Sequence, residues 1–586
     1  MRRTVLLPSA LFGRYGDRAR AGRRAWELMV PVVVLAVAGW RRRWVTEDAF
    51  INFRVVAITR KARNPFAFNA NERVEAGTSP LWTATLVVLD ATLGRRIPLE
   101  RLALGAGMGL SVVGLAAATA ASARLVGSSG AGRPWPAGAL ILSALPPLWD
   151  FTTSGLETGV TFGWLGCCQW LLARRSADHS HTGSSPVYGA DIPLAVLLGL
   201  GPLIRPDLTL FSAAFLISRT AVGSSGRFGH AGTIAAAVAL PVAYQFFRMA
   251  YFATMVPNTA LAKEAGRSDW RRGKAYLEDF AKPYRLTVPV ALVAGWAGKW
   301  VAMSSPGERR RLAVVIGAPA VAALLHACYV VRLGGDFMHG RLLLPATFGL
   351  FMSVATLPTR TVTFAVPIAV TGWALACAVR LRPADDPVSR GRHIVDERLW
   401  WCREAGHSNP VVLDDYHRVA SARSGARARR LADEGADAVV RIDGREHDLV
   451  PGSGVFLESI TIGLGSTAAG PDVHVIDVLG LGDAVGSRIP PDPAARIGHQ
   501  KRLPPALVLA RLRLADEADL LPEERAGLRA ARALLRTPAV AHLVAAISEP
   551  ITLARARRNV RQAFSLTRLR LVIGSLSDPA PSTTTV

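Results

Sequence analysis

Apolar runs of roughly 15 to 25 residues recur through the first 380 positions, parted by short Arg-rich loops, and no other feature narrows the possible folds as much. A helix needs about 20 mostly apolar residues to cross a bilayer. Runs of that kind lie at about 25–40, 79–94, 99–124, 135–150, 156–173, 190–204, 206–219, 230–252, 284–304, 311–330, 338–355 and 361–381. With half of its 586 residues hydrophobic and 19% charged, the chain is neither disordered nor fibrous, and one soluble core of this size would normally split. A multi-span membrane protein remains. Pro146, Pro147, Pro202 and Pro206 break some runs, which a bilayer tolerates where backbone is buried in protein or lines a wet cavity. Plain packing kinks are the competing explanation.

Charge supplies orientation. There are 69 Lys and Arg against 44 Asp and Glu, a net +25, but residues 381–586 hold 28 against 25, so +22 belongs to the first 380. Base set between apolar runs suits anionic or phosphorylated lipid and does not suit nucleic acid. Arg95–Arg96, Arg174–Arg175, Arg219 with Arg227, and Glu308-Arg309-Arg310-Arg311 mark cytoplasmic loops, as does the basic stretch 1–24 before an uncleaved first span. The loops at 46–80, 154–158, 205–207, 256–282 and 334–341 then face outward, with everything after 381. Twelve crossings would return the C-terminus to the cytoplasm, so about 11 are expected, with the failing run between 99 and 150. Arg41-Arg42-Arg43 lies outside against the charge rule, and a bound lipid phosphate would account for it.

The expected fold is an α-helical polytopic membrane domain over 25–381, with a first outer loop at 41–80, followed by an extracytoplasmic mixed α/β domain over 382–577. Charged residues make up 53 of the last 206 positions against 60 of the first 380. Strand-like stretches at 438–442 and 473–479 alternate there with helical patterns at 506–514, 523–535 and 551–563, the last Arg-rich and amphipathic. A polar tail at 578–586 is expected to be disordered. Five cysteines show no CxxC or Cys/His spacing, so neither a disulfide framework nor zinc is expected.

The first outer loop is the densest polar segment. It reads Thr46-Glu47-Asp48-Ala49-Phe50-Ile51-Asn52-Phe53-Arg54 and continues through Phe68-Asn69-Ala70-Asn71-Glu72-Arg73-Val74-Glu75-Ala76-Gly77-Thr78-Ser79-Pro80. A carboxylate at a membrane surface can take a proton from an acceptor hydroxyl or stabilise an oxocarbenium-like centre, and cations such as Arg54 and Arg73 would hold a leaving phosphate. The same Thr46, Glu47 and Asp48 would also serve as an N-cap and first-turn acids of an interfacial helix.

The string EDAFINFRVV…FNANERVEAGTSPLW resembles the first outer loop of lipid-phosphosugar glycosyltransferases of the GT-C class, specifically the terminal β-(1→2)-arabinofuranosyltransferase family of actinobacterial cell walls. Phe151-Thr152-Thr153-Ser154-Gly155-Leu156-Glu157-Thr158, Ile204-Arg205-Pro206-Asp207, Val256-Pro257-Asn258-Thr259-Ala260-Leu261-Ala262-Lys263 and Gly334-Gly335-Asp336-Phe337-Met338-His339-Gly340-Arg341 extend the likeness. So do Ile476-Asp477-Val478-Leu479-Gly480-Leu481-Gly482-Asp483 and Arg496-Ile497-Gly498-His499-Gln500-Lys501. The resemblance implies a GT-C membrane fold, a polyprenyl-phosphate arabinofuranose donor, a cell-wall arabinan acceptor and a multi-pass protein of the cell membrane with its site outside. It implies that Asp48 is the catalytic aspartate, with Glu47 in place of the first member of the family's Asp-Asp pair.

For the donor phosphate, His339 and Arg341 are expected, with Arg205, Lys263 and Arg54. Glu75, Arg73, Glu157 and Asn258 are candidates for sugar or acceptor, while Asp207 and Asp336 either join them or pair with the cations. Trp82 and Trp400-Trp401 are sugar platforms or interfacial anchors, and His499 and Lys501 touch substrate or solvent. No cofactor or metal is predicted, and a divalent cation has no support in the residues. Lys61-Ala62-Arg63-Asn64-Pro65 stands where the family carries a Gly-rich turn. Another prenyl-phosphate sugar or acceptor, a lipid-linked saccharide transporter and a glycan-binding scaffold are the competing functions.

Overall fold

The computed structural model describes residues 10–573 apart from 62–63, 179–191, 223–226, 383–393, 443, 518–519 and 521. The tail at 578–586, the first nine residues, and Ala62 and Arg63 lie outside the described residues. Helices dominate. Leu99–Ser128, Gly229–Phe252 and Pro306–Arg332 are long and apolar enough to cross a membrane, and Thr287–Met303, Arg341–Met352 and Ala365–Val379 are shorter apolar helices. Glu524–Leu535 and Pro538–Ser548, bent by 73°, pass the same test together. Their second helix, however, sits among loop residues, where Ile547 O and Ala546 O accept from Arg73.

The prolines break helices where expected. Pro146 and Pro147 separate Ala137–Ala144 from Pro146–Thr152, and Pro206 opens a single turn after Gly201–Ile204. Pro206 lines the main polar cleft described below, and Pro146 and Pro147 line a smaller cavity.

Helix directions follow from close backbone contacts. A Cβ on Gly159 would stand 2.2 Å from Gly107 O, and one on Gly166 2.0 Å from Gly114 O. Small residues let backbones approach this far in lipid. The matching order of the contacts makes Leu99–Ser128 and Thr158–Asp178 parallel. Their far ends meet Arg311, which donates to Ser176 O and Ser128 Oγ (3.1 and 2.6 Å). Also at that end, Trp300 reaches Ser129 Oγ, Trp296 reaches Pro358 O, and Pro134–Trp135 pairs antiparallel with Leu357–Pro358. The basic groups around Arg174–Arg175, Arg219 and Arg309–Arg311 therefore share one end of the bundle.

Arg95–Arg96 does not join them, which corrects the expectation for that loop. Helix Pro80–Leu93 has 14 residues, about 21 Å, and stays at the opposite end. Trp82 Nε1 donates to Gly155 O, Arg60 pairs with Asp90 at 3.4 Å, and Glu100 lies beside Leu413. The run that fails to traverse the bundle is thus 79–94, not one between 99 and 150. Hydropathy cannot separate the two cases, because a short apolar helix wedged among others reads like a span.

After Glu397–Ala405, the chain forms a four-stranded sheet in the order Glu446–Asp448, Ala438–Val440, Val455–Ser459, His474–Asp477. Its first junction is antiparallel and the other two parallel, with Ala420–Asp433 and Ile462–Ala469 packed against it. Ile51, Phe68 and Ala76 of the first outer loop share one core with Leu457, Ile462 and Val475. The loop is therefore as much a part of the C-terminal half as of the helical bundle.

Candidate active site

The backbone N–H of Thr46 donates to Ser154 O at 2.9 Å and starts helix Glu47–Arg60. Thr46 holds the N-cap position, yet its hydroxyl is buried without a partner, so it does not cap by side chain. The two acids of the first turn diverge. Glu47 turns into the protein, where its Oε1 accepts from the N–H groups of Gly463 and Leu464 at the start of Ile462–Ala469. A Cβ on Gly463 would stand 2.0 Å from Glu47 O, so glycine permits this approach. Burial first, then the charge of Asp48, raise the pKa of Glu47.

Asp48 turns the other way, into a cleft of about 240 Å³. Arg341 Nη1 donates to its Oδ2 at 3.0 Å, and Arg341 also lies 3.8 Å from Glu157 and 3.9 Å from Asp336. Arg205 forks onto both oxygens of Asp207 at 3.0 Å and donates to Glu157 Oε1 at 3.0 Å. His326 Nε2 meets Asp207 Oδ2 at 2.7 Å. Burial pushes the Asp207 carboxyl up, but Arg205 and His326 outweigh it and hold it well below the usual range. Lys263 completes the charged wall.

The turn that delivers Arg341 depends on Gly335, whose φ is +80° and whose added Cβ would stand 2.3 Å from the ring of Tyr276. Gly335→Ala is expected to lower the melting midpoint and donor turnover together; unchanged values for both would rule out this constraint.

A second cavity of about 300 Å³ adjoins the cleft, sharing Asn52 and Gly77 with it. Its wall is largely apolar, including Val55, Phe66, Leu81, Leu203 and Phe247. Glu75 is at its edge, held by Arg248 (2.6 and 3.1 Å) and the Tyr244 hydroxyl (2.7 Å). Among the described residues no three His, Cys, Asp or Glu side chains converge as metal ligands.

The C-terminal residues 441–580 match the family model described as "AftB family C-terminal domain". The chain is 32% identical to the terminal β-(1→2)-arabinofuranosyltransferase of Mycobacterium tuberculosis, over 93% of this chain and 95% of that protein. The chain belongs to the terminal β-(1→2)-arabinofuranosyltransferase family. The protein of the same name from Corynebacterium glutamicum is 30% identical, over 91% of this chain and 83% of its own length. No solved structure matches the chain.

In this arabinofuranosyltransferase-family chain, the cleft unites Asp48, Glu157, Arg205, Asp207, Lys263, Asp336 and Arg341, drawn from five separate segments of the chain. Other expected site residues lie elsewhere. Arg54 is 1% exposed and spends its donors on the carbonyls of Phe68, Ser466, Gly470 and Val473 and on Asn69 Oδ1. Arg73 is likewise committed to Tyr251 O and Ala546 O. Asn258 binds the carbonyls of Gly480, Leu481 and Asp483 and clamps the C-terminal half to the bundle. Lys501 is buried against Leu261 O, Ser487 O and Glu264. Trp82 and Trp401 are buried and hydrogen-bonded, so neither is an open sugar platform.

His339 bonds to Asp279 (2.6 Å) and the Tyr284 hydroxyl (3.0 Å) and lines a cavity of only about 20 Å³, away from Asp48. Arg42 lines the same cavity and forks onto Asp150 at 2.6 and 2.9 Å. That ion pair accounts for Arg42, whereas Arg43 donates to Trp40 O.

Glu397, which nothing in the sequence marks, lies near Asp48. Burial and then the charge of Asp48 push its carboxyl up to about 7, while Trp401 Nε1 donates to Oε1 at 2.7 Å. Between the ordinary carboxyl range and pH 7 the folded chain holds this proton and the unfolded chain does not. Its contribution is therefore greatest at the acid end and falls as pH rises through 7. A Glu397→Gln variant is expected to lose less thermal stability than the parent between pH 5.5 and 8; parallel curves would refute the shift.

Proposed function

We propose that this chain is a membrane glycosyltransferase that moves arabinofuranose from a polyprenyl-phosphate donor to the non-reducing ends of cell-wall arabinan, forming terminal β-(1→2) linkages. One observation carries the reading: a carboxylate cleft rich in paired cations opens beside an apolar groove of prenyl-like character. The groove suits the lipid chain, the cleft suits the sugar phosphate, and Asp48 lines the cleft one helical turn before Asn52, which both cavities share. Positive groups at such a point stabilise charge that develops on a departing phosphate, and need no metal to do so.

The helix order supports about eleven crossings. Taken in chain order, 10–41, 99–128, 137–152, 158–178, 192–204, 209–222, 227–252, 287–303, 306–332, 341–352 and 365–379 alternate between the cleft end and the basic end. Base at the far end supports a cytoplasmic location there and an external one for the cleft and the C-terminal half. A site facing outward has no access to cytosolic sugar nucleotides, which favours a lipid-linked donor. Polar groups gathered at one end, and not near mid-bilayer, favour a transferase over a transporter.

In the transfer, the C1–O bond to phosphate breaks with its electron pair leaving on the phosphate. The acceptor oxygen forms the new C1–O bond, and its proton passes to the released phosphate or to the Asp48 carboxylate. If donor and product are both β-linked, configuration is retained by one of two routes: Asp48 acts as nucleophile, or the acceptor enters on the face the phosphate leaves. A pentosyl mass increase on Asp48 in quenched protein distinguishes the first route.

The deciding assay uses purified full-length protein, synthetic prenyl-phosphate arabinose and an arabinofuranose oligosaccharide, with product linkage read by NMR. A new terminal β-(1→2) signal is expected. Absence of transfer from this donor by well-folded protein, or transfer only from a sugar nucleotide, would overturn the reading.

A further inference from the structure

The cations around the Asp48 cleft are not equivalent. Arg205 is spent on Asp207 and Glu157, and Arg341 is shared among Asp48, Glu157 and Asp336. Both guanidinium groups are thus already neutralised by carboxylates, Arg205 through three hydrogen bonds and Arg341 through one to Asp48 with two further carboxylates within 4.0 Å. Lys263 and Arg496 differ. Among the described residues neither side chain makes a hydrogen bond, and neither has a carboxylate oxygen within 4.0 Å. Among the described residues Arg496 Nε, like Arg341 Nε, is buried without a hydrogen-bond partner, but only Arg341 has carboxylates within 4.0 Å to neutralise it.

Both cations lean on one ring. Lys263 Nζ is 5.7 Å and Arg496 Cζ 4.4 Å from the centroid of Phe337, and His499 meets the same ring at 5.1 Å. Lys263 lines the cleft with Asp48, and so does Ile497, the neighbour of Arg496. Asp48, Asp336 and Glu397 all act electrostatically on Arg496 without closing an ion pair with it. Gly498, at φ +82°, turns the segment so that its backbone lies in ordinary contact range of Phe337 and Lys263. A desolvated cation without an anion is costly, and the cost is relieved when a ligand brings one.

We infer that Lys263 and Arg496 form the seat of the prenyl phosphate, with Phe337 holding both cations against the cleft. Arg496 comes from the C-terminal half and Lys263 from the helical half, so the seat exists only when the two halves are joined. The inference rests on the transferase reading and deepens it. As the C1–O bond breaks, the phosphate gains negative charge, and these two groups meet it. Arg205 and Arg341 instead hold Asp48, Glu157, Asp207 and Asp336 in place. Planar Arg496 can give two parallel bonds to phosphate oxygens, which a lysine there would not reproduce.

The test uses full-length protein in nanodiscs and farnesyl phosphate, a prenyl phosphate without sugar, with farnesol as the uncharged control. Arg496→Ala and Lys263→Ala are each expected to weaken farnesyl phosphate binding at least about tenfold, leaving farnesol binding and the melting midpoint unchanged. In turnover they raise the donor KM but not the acceptor KM, and Arg496→Lys recovers part of the loss. Farnesyl phosphate binding that both alanine variants retain at full strength would overturn the seat, as would a parent protein that never binds it. Arabinose transfer with insensitive binding sinks this inference alone. Sensitive binding by a parent protein that transfers no arabinose sinks the transferase reading alone.

Discussion

Asp48→Asn, in folded full-length protein, is expected to lower arabinose transfer by roughly 10²- to 10⁴-fold, the range for losing a nucleophile or proton acceptor. The substitution conserves shape, and an amide oxygen can still accept from Arg341 Nη1, which donates to Asp48 Oδ2 at 3.0 Å in the parent. Only the chemistry is removed. The control is its neighbour. Glu47 accepts from the backbone of Gly463 and Leu464, bonds that a glutamine oxygen also makes, so Glu47→Gln is expected to keep transfer within about tenfold. Near-normal turnover by Asp48→Asn alongside an inactive Glu47→Gln would reverse the two roles.

Arg341→Met carries the second large effect, on stability as well as rate. Arg341 lies within 4.0 Å of Asp48, Glu157 and Asp336. Of these, Glu157 and Asp336 are nearly buried. Removing a shared guanidinium leaves like charges together and poorly solvated, at a cost of about 3–5 kcal/mol. A clear fall in the melting midpoint and loss of transfer are expected. Adding Asp336→Asn to Arg341→Met should recover part of the midpoint, since one carboxylate is gone, but none of the rate. A pair of variants whose stability effects simply add would show that the two side chains are uncoupled.

Much of this site was legible beforehand, and its failures have physical causes. Asp48, Glu157, Arg205, Asp207, Lys263, Asp336 and Arg341 were all named from their motifs, and one cleft collects them. Arg54, Arg73 and Asn258 stood in the same motifs but bind backbone carbonyls instead. A motif shows that a residue matters to the fold or the site, and does not say which, because a buried guanidinium can satisfy its donors either way. His339 was drawn aside by Asp279, a partner 60 positions distant. Glu397 and His326 carried no local signal at all.

From the sequence alone, hydropathy identified a membrane chain, and charge asymmetry assigned most loops to two sides, because bilayer thickness and loop charge act on local segments. Its motifs singled out Asp48, the carboxylate proposed to react. Tertiary structure decided which apolar run fails to traverse the bundle and which cations are already neutralised. Those outcomes depend on partners far apart in the chain: Arg341 with Asp48 is a contact across 293 positions, and Arg54 with Gly470 one across 416. An ion pair is settled by distance and desolvation in space, and no reading of neighbouring residues supplies either.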